Sequence, residues 1–327
     1  MDSKESILFI RPEFFYFGKS IEVEMARLGY EVLSYSDRPK ESGFAKAMIR
    51  LCRPLYAGPT SAYVKRIIAE TKNHPVSKVV VILGQALLPR HIRMLRQAFP
   101  KAEFVYYLWD SMKNAKYGRR LSLEFDRRYY FESDGYDGFE RLENFFDPAF
   151  AELPENEKKY DLAYIGTAYP AKLKEADRLF RSLGDRYPAR YLYFYLPSPL
   201  MRIFFTITHP GYRKLAKRFG LQTQKISKEE VLSIYSQTKI LLDFPRANQN
   251  GLTMRTLESM AAKKKLITTN PTVVSYDFYN KENIYVFDGR PIDFDQDFFA
   301  KPAYSAVKKE IVDRYTVHHF VTVLLNL

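Results

Sequence analysis

The chain has 327 residues, 46% of them hydrophobic and 16% aromatic, which suits two domains of about 150 residues rather than one core. A single cysteine, Cys52, excludes an internal disulfide and a cysteine-based metal cluster, and it fits a reducing cytosol. The formal net charge of +13 is uneven: residues 38–128 hold 19 Lys+Arg against 6 Asp+Glu, whereas residues 129–157 hold 9 acids against one Arg. The charged start Met1–Ser6 and the short apolar run Ile7–Ile10 do not read as a signal peptide. No apolar stretch approaches the ~20 residues of a membrane span, and the most tempting, Leu200–Thr208, is broken by Arg202.

In chain order, Ser6–Ile10 predicts a strand, Ser20–Leu28 a helix stopped by Gly29, and Glu31–Tyr35 a second strand. A helix over Ser61–Ala69 follows, then the strand Lys78–Leu83, a helical face of Ile92, Leu95 and Phe99, and the strand Glu103–Trp109 ending on Asp110. Continuous apolar strands alternating with helices predict a parallel sheet covered on both faces. Pro148–Lys159, with two prolines and a run of charges, reads as a linker.

The alternation then restarts. Asp161–Ile165 is a strand meeting Gly166, Ala171–Leu183 a helix closed by Gly184, and Ala189–Leu196 an aromatic strand. Ser227-Lys228-Glu229-Glu230 has the spacing of a capping box, in which Ser227 and Glu230 satisfy the first free amides of a helix. Lys239–Phe244, Lys265–Thr269 and Asn283–Phe287 predict strands, Leu252–Ala262 a helix, and Ala303–Leu325 a terminal helix. The expected fold is α/β, with two Rossmann-like domains, 1–150 and 151–327, whose parallel sheets face across a cleft.

The stretch Lys239–Asp288 carries the most chemistry. A buried strand leads through the polar loop Pro245–Gly251 into a helix, whose first amides form the positive end of its dipole and suit a diphosphate. Arg255 lies one turn in and would add a charge-assisted hydrogen bond. Glu258, one turn further, would accept both hydroxyls of a ribose. A plain surface pair of Arg255 and Glu258 is the competing reading.

The segment Gly251-Leu252-Thr253-Met254-Arg255-Thr256-Leu257-Glu258, followed by Tyr276-Asp277-Phe278-Tyr279 and Asn283-Ile284, resembles the donor-binding segment of GT-B glycosyltransferases of the group-1 superfamily. Within them it resembles most a branch of spore-maturation-type and bacterial lipopolysaccharide or capsule enzymes. The resemblance implies that Glu258 binds the ribose and that Leu252, Thr253 and Arg255 line the diphosphate. Many retaining members carry a carboxylate eight positions before this Glu. Asn250 stands there, which sets the chain apart from the common retaining mechanism and leaves donor binding intact. Tyr160–Thr167 resembles the strand and glycine turn that open the donor domain, so Gly166 and Thr167 are expected near the diphosphate with Lys172 adding charge. Ile226 is expected at the nucleobase. Leu108–Ser111 and Phe145–Pro148 resemble the branch more loosely.

An acceptor-side base has to come from loops after the first-domain strands, where Glu13 and Asp110 are the candidates, against structural roles for both. The five histidines show no metal spacing and no DxD-type motif stands out, so neither a metal nor a cofactor is expected beyond a nucleotide-sugar substrate, with a UDP-sugar the first choice. The function expected is transfer of a sugar to a surface polysaccharide, lipid-linked or protein-bound acceptor. A nucleotide-sugar epimerase and a non-catalytic sugar-nucleotide-binding scaffold are the alternatives. The basic segment, with Arg50, Arg53, Lys65 and Arg66 beside apolar residues, suggests an anionic membrane surface as a partner, against a merely solvated basic face. No helix-turn-helix, zinc-finger or RNP-like signature points to nucleic acid. The expected location is cytoplasmic, extending to a peripheral place at the inner face of the membrane.

Overall fold

The apolar runs of the first half do form a parallel sheet. The computed structural model describes residues 4–13, 16–246 and 249–327, the side chains of 44, 46, 47, 50 and 51 excepted. Strands β1 (Ser6–Arg11), β2 (Glu31–Ser36), β3 (Val76–Ile82), β4 (Glu103–Leu108), β5 (Arg127–Tyr130) and β6 (Glu140–Arg141) pair in the order β2-β1-β3-β4-β5-β6, all parallel. Ile7–Ile10, Val79–Ile82 and Phe104–Leu108 are wholly buried, as strands covered by helices on both faces require. The helices are α1 (Phe17–Arg27), α2 (Gly43–Cys52), α3 (Ala57–Thr71), α4 (Pro89–Ala98) and α5 (Gly118–Leu121). β3 stops one residue earlier than its apolar run because Leu83 turns to φ +61° ahead of Gly84 at φ +64°.

In the second unit β7 (Tyr160–Thr167), β8 (Arg190–Tyr195), β9 (Leu221–Gln222), β10 (Thr238–Asp243), β11 (Lys265–Thr268) and β12 (Ile284–Val286) pair in the order β12-β11-β10-β7-β8-β9, again all parallel. Its helices are α6 (Pro170–Leu183), α7 (Pro199–Thr208), α8 (Tyr212–Phe219), α9 (Lys228–Ser236), α10 (Met254–Ala261), α11 (Asp297–Ala300) and α12 (Lys309–Asp313). The strand order runs outward in both directions from the β7–β10 pair. That pair is therefore the topological switch point, outside whose carboxyl ends doubly wound sheets bind ligands. The Ser227–Glu230 capping box forms, with amide-to-side-chain bonds of 3.0 and 3.1 Å.

The terminal segment corrects two expectations. Ala303–Leu325 is not one helix: Asn283 clamps Ser305 with bonds of 2.7 and 2.8 Å, and Thr316 bridges Phe146, so only α12 and α13 (Val317–Leu325) are helical. Nor does the last helix belong with the second domain. The units are Met1–Glu143 with Val317–Leu327, and Asn144–Thr316. α13 joins the first by its apolar face: Phe320 meets Tyr107 edge-on at 4.9 Å, and the Val323 carbonyl accepts from Tyr129 at 2.9 Å. Among the described residues no helix is long and apolar enough to cross a membrane.

Candidate functional site

β10 carries three apolar residues, Ile240–Leu242, into the core and then delivers Asp243, a fully buried carboxylate, to the switch point. Three donors satisfy it: Thr253 Oγ1 at 2.8 Å, Arg255 Nε at 3.1 Å and Thr256 Oγ1 at 3.3 Å. All three lie at the start of α10. That helix begins at Met254, two residues later than its sequence pattern suggests, because Thr253 is its N-cap and its hydroxyl accepts from the Thr256 amide. The same hydroxyl donates to Asp243, so one side chain fixes both the helix start and the carboxylate.

Arg255 ties the two strands of the switch point together. Besides Asp243 it donates from Nη1 to the Ile165 carbonyl of β7 at 2.8 Å, and its guanidinium lies 5.5 Å from the Tyr164 ring. Burial would lower its pKa, but Asp243, then Tyr164, Tyr235 and Glu258, more than reverse that and leave it raised. Gly166 makes the approach possible: a Cβ there would stand 2.5 Å from the Tyr164 hydroxyl and 3.2 Å from Arg255 Nη1. Thr167 ends β7, and its carbonyl accepts from Tyr164 at 3.3 Å.

Lys172, in the first turn of α6, is 5% exposed and has no hydrogen-bond partner among the described residues. Burial pushes its pKa down to about 7, with Arg255 and Arg246 adding to the fall and Asp243 opposing it. Glu258 is 2% exposed, so the reading of Arg255 and Glu258 as a surface pair fails. Its Oε2 accepts from the buried Tyr235 hydroxyl of α9 at 3.3 Å, while Arg255 turns to Asp243 instead. Tyr235 is raised well above the usual phenol range, by burial first and then by the Glu258 charge.

The loop into α10 is pinned by its carbonyls. Those of Asn250, Gly251 and Leu252 accept from Thr272 Oγ1 at 2.6 Å, Asn270 Nδ2 at 3.2 Å and Asn144 Nδ2 at 2.9 Å. Asn250 also lines a cavity of about 400 Å³, with Arg178 of α6 and Asn270 and Asp288 beyond β11 and β12. Lys172, Arg255 and Glu258 do not line it. Ile226 is buried just ahead of α9.

In the first unit Asp110 follows β4 and accepts from the Ser111 amide at 2.8 Å and from Asn114 Nδ2 at 3.0 Å, a turn-closing geometry. Glu13 is exposed and paired with Arg11 at 3.2 Å. Of the cations expected at a membrane, Arg53 lies 3.6 Å over the Tyr117 ring with its Nε buried, so it faces protein and not lipid. Arg66 pairs with Glu70 at 3.5 Å, Lys65 is exposed, and the Arg50 side chain lies outside the described residues. Sequence reading missed Asp243, Tyr164 and Tyr235; a lone acid closing an apolar strand was the signal available for the first.

Residues 141–301 match the model of a family described as glycosyl transferase-like. The matched residues, just under half of the chain, are thus similar to a glycosyltransferase family. Solved structures agree over nearly the whole chain. Anabaena Alr3699/HepE, solved with UDP and glucose, has a TM-score of 0.62 at 10% identity, over 98% of each chain. Sucrose-phosphate synthase of Thermosynechococcus elongatus scores 0.60 at 13% identity, over 99% of this chain and 98% of that one. A glycosyltransferase of Rickettsia africae scores 0.58 at 13%, over 99% and 97%. At such identities the likeness is one of fold, and that fold is GT-B. Among curated proteins none matches the sequence. The glycosyltransferase match covers most of the unit that holds Asp243, Arg255, Lys172 and Glu258, and it does not single out the spore-maturation-type or lipopolysaccharide branch.

Proposed function

We propose that the chain transfers a sugar from a nucleotide-sugar donor to a polysaccharide, lipid-linked or protein-bound acceptor, and that the second unit holds the donor. The observation that carries this is the gathering of Arg255 and Lys172 at the switch point, where Lys172 has no hydrogen-bond partner among the described residues. Arg255 and Lys172 surround one carboxylate, Asp243, at the ends of β7 and β10 and at the start of α10. A diphosphate is a ligand that such a site suits. Glu258, held by Tyr235 one turn along α10, accepts the ribose hydroxyls, and Ile226 borders the base. Thr253 and the pinned segment Asn250–Leu252 line the diphosphate, with Gly166 and Thr167 on the β7 side. A UDP-sugar is the first donor to try, and Asp110 and Glu13 are the acceptor-side carboxylates on this reading.

A thermal-shift series with UDP, GDP, dTDP, ADP and CMP tests it, followed by titration of the best ligand into Glu258→Ala. Loss of charge-assisted bonds to a ribose weakens binding by about 1.5–3 kcal/mol, roughly tenfold to hundredfold. Unchanged affinity in the variant removes Glu258 from the site. Incubation with nucleotide sugars separates the readings: a glycosylated product supports transfer, and an isomerised sugar supports an epimerase instead.

A further inference from the structure

Nine large hydrophobic side chains are exposed among the described residues, and four of them, Leu200, Ile203, Phe204 and Ile207, stand on the single helix α7. Their spacing, i, i+3, i+4 and i+7, places them within about 100° of one helix face. They are 76%, 55%, 57% and 77% exposed. The helix is not loose. Phe205 is buried against Tyr169 at 5.8 Å and Tyr212 at 5.4 Å, Met201 packs on the same core, and Ser198 caps the first turn. One side of α7 is thus fastened to the unit while an apolar stripe is held in water, an arrangement that marks an interaction surface.

The charge around the stripe identifies the partner. From Arg186 to Lys228 the chain contains nine Lys+Arg and no Asp or Glu. α8, packed on α7 through Tyr212, buries Tyr212, Ala216 and Phe219 and exposes Arg213, Lys214, Lys217 and Arg218. Arg218 pairs with Asp177, but Arg213, Lys214 and Lys217 have no ion pair among the described residues. A second copy of the chain is a poor occupant. A two-fold contact would bring the acid-free segments together. The exposed face of a ten-residue helix, about 15 Å by 10 Å, also falls far short of the roughly 800 Å² per partner of a standard interface.

We propose that α7, flanked by the cations of α8, is a membrane-docking helix that seats its apolar stripe in an anionic lipid surface. Leucine, isoleucine and phenylalanine on one face, beside lysine and arginine, is the composition that lies in the plane of a lipid interface. This lipid contact lies in the second unit, and it stands on α7 and α8 whether or not the donor reading holds.

Flotation of the full chain with vesicles of phosphatidylcholine, alone or mixed with phosphatidylglycerol, tests this. The chain floats with the mixed vesicles, less as salt rises, and little with phosphatidylcholine alone. Leu200→Ser with Ile207→Ser lowers partitioning by about tenfold or more, and Lys214→Glu with Lys217→Glu does the same by reversing the charge. All four positions are exposed, so both variants keep the wild-type melting curve, and the lysine pair provides a second reading should the apolar pair disturb folding. Failure of the wild type to float, or equal flotation of both variants, overturns the proposal. So does sedimentation analysis showing that the apolar variant turns an oligomer into a monomer while vesicle binding is absent, which would make α7 a protein interface.

Discussion

Asp243→Asn is the most informative single change at the switch point. Asparagine keeps the shape of the side chain and an oxygen to accept from Thr253 and Thr256, so the helix start survives. What goes is the charge. Arg255, 3.1 Å away, remains largely buried with only the Ile165 carbonyl as acceptor, and Lys172 loses the one neighbour that raises its pKa. Removing one partner of a buried pair costs about 3–5 kcal/mol. The Arg255 side chain is 20% exposed and keeps one strong hydrogen bond, so the lower end, about 3 kcal/mol, applies. For domains of 150–250 residues each kcal/mol is worth about 2–4 °C, which gives a fall in Tm of about 6–12 °C. Differential scanning calorimetry of wild type and variant measures it. If the site is built for a diphosphate, UDP raises the Tm of the variant by more than that of the wild type, because the ligand replaces the missing charge. A fall of less than about 2 °C, or no greater gain from UDP, refutes the reasoning.

Lys172 gives a pH-dependent test. Its folded-state pKa of about 7 lies below the ordinary 10.5, so between these values the unfolded chain binds the extra proton and wild-type stability rises with pH. Lys172→Met flattens that rise in melts taken from pH 6 to 10, and parallel curves for the two proteins would rule the buried lysine out as its source. For the acceptor side, Asp110→Asn or Glu13→Gln lowers turnover by about 10²–10⁴-fold with nucleotide binding intact. Near-normal turnover in both would assign the base to the donor phosphate or the acceptor.

The strands and most helices were legible because continuous apolar runs and 3.6-residue periodicity are local properties, as in Ile7–Ile10 or Ala171–Leu183. The terminal segment was not. Its composition permits a helix, and what interrupts it is remote: the Asn283 clamp on Ser305 and the Thr316 bridge to Phe146. The Tyr276–Tyr279 motif shows the same limit. Asp277 accepts from Tyr315 at 2.8 Å and pairs with Arg314, so it braces the chain end, a role its spacing does not reveal. At the site, Arg255, Lys172 and Glu258 were visible as residue types in a pattern, but their counter-groups were not. Asp243 and Tyr235 become partners only when β10 and α9 pack against α10.

The division of labour between the two cations follows from their chemistry. Arginine cannot shed its proton, so burying one at the switch point requires a permanent anion, and Asp243 supplies it. Lysine can shed its proton, and Lys172 is the cation left without a hydrogen-bond partner among the described residues. With Arg255 paired and Lys172 near its midpoint at neutral pH, the switch point carries little uncompensated charge and costs the fold little. On the donor reading, a diphosphate recharges Lys172 and gains a full cation that the resting protein did not have to hold. Substitution at Gly166 would disturb this balance from the other side, since a Cβ there drives Tyr164 and Arg255 off the β7 backbone. On the same donor reading, the glycine, the arginine with its carboxylate and the titrating lysine form one electrostatic device, in which the fixed charge is neutralised within the fold and the variable charge serves the ligand.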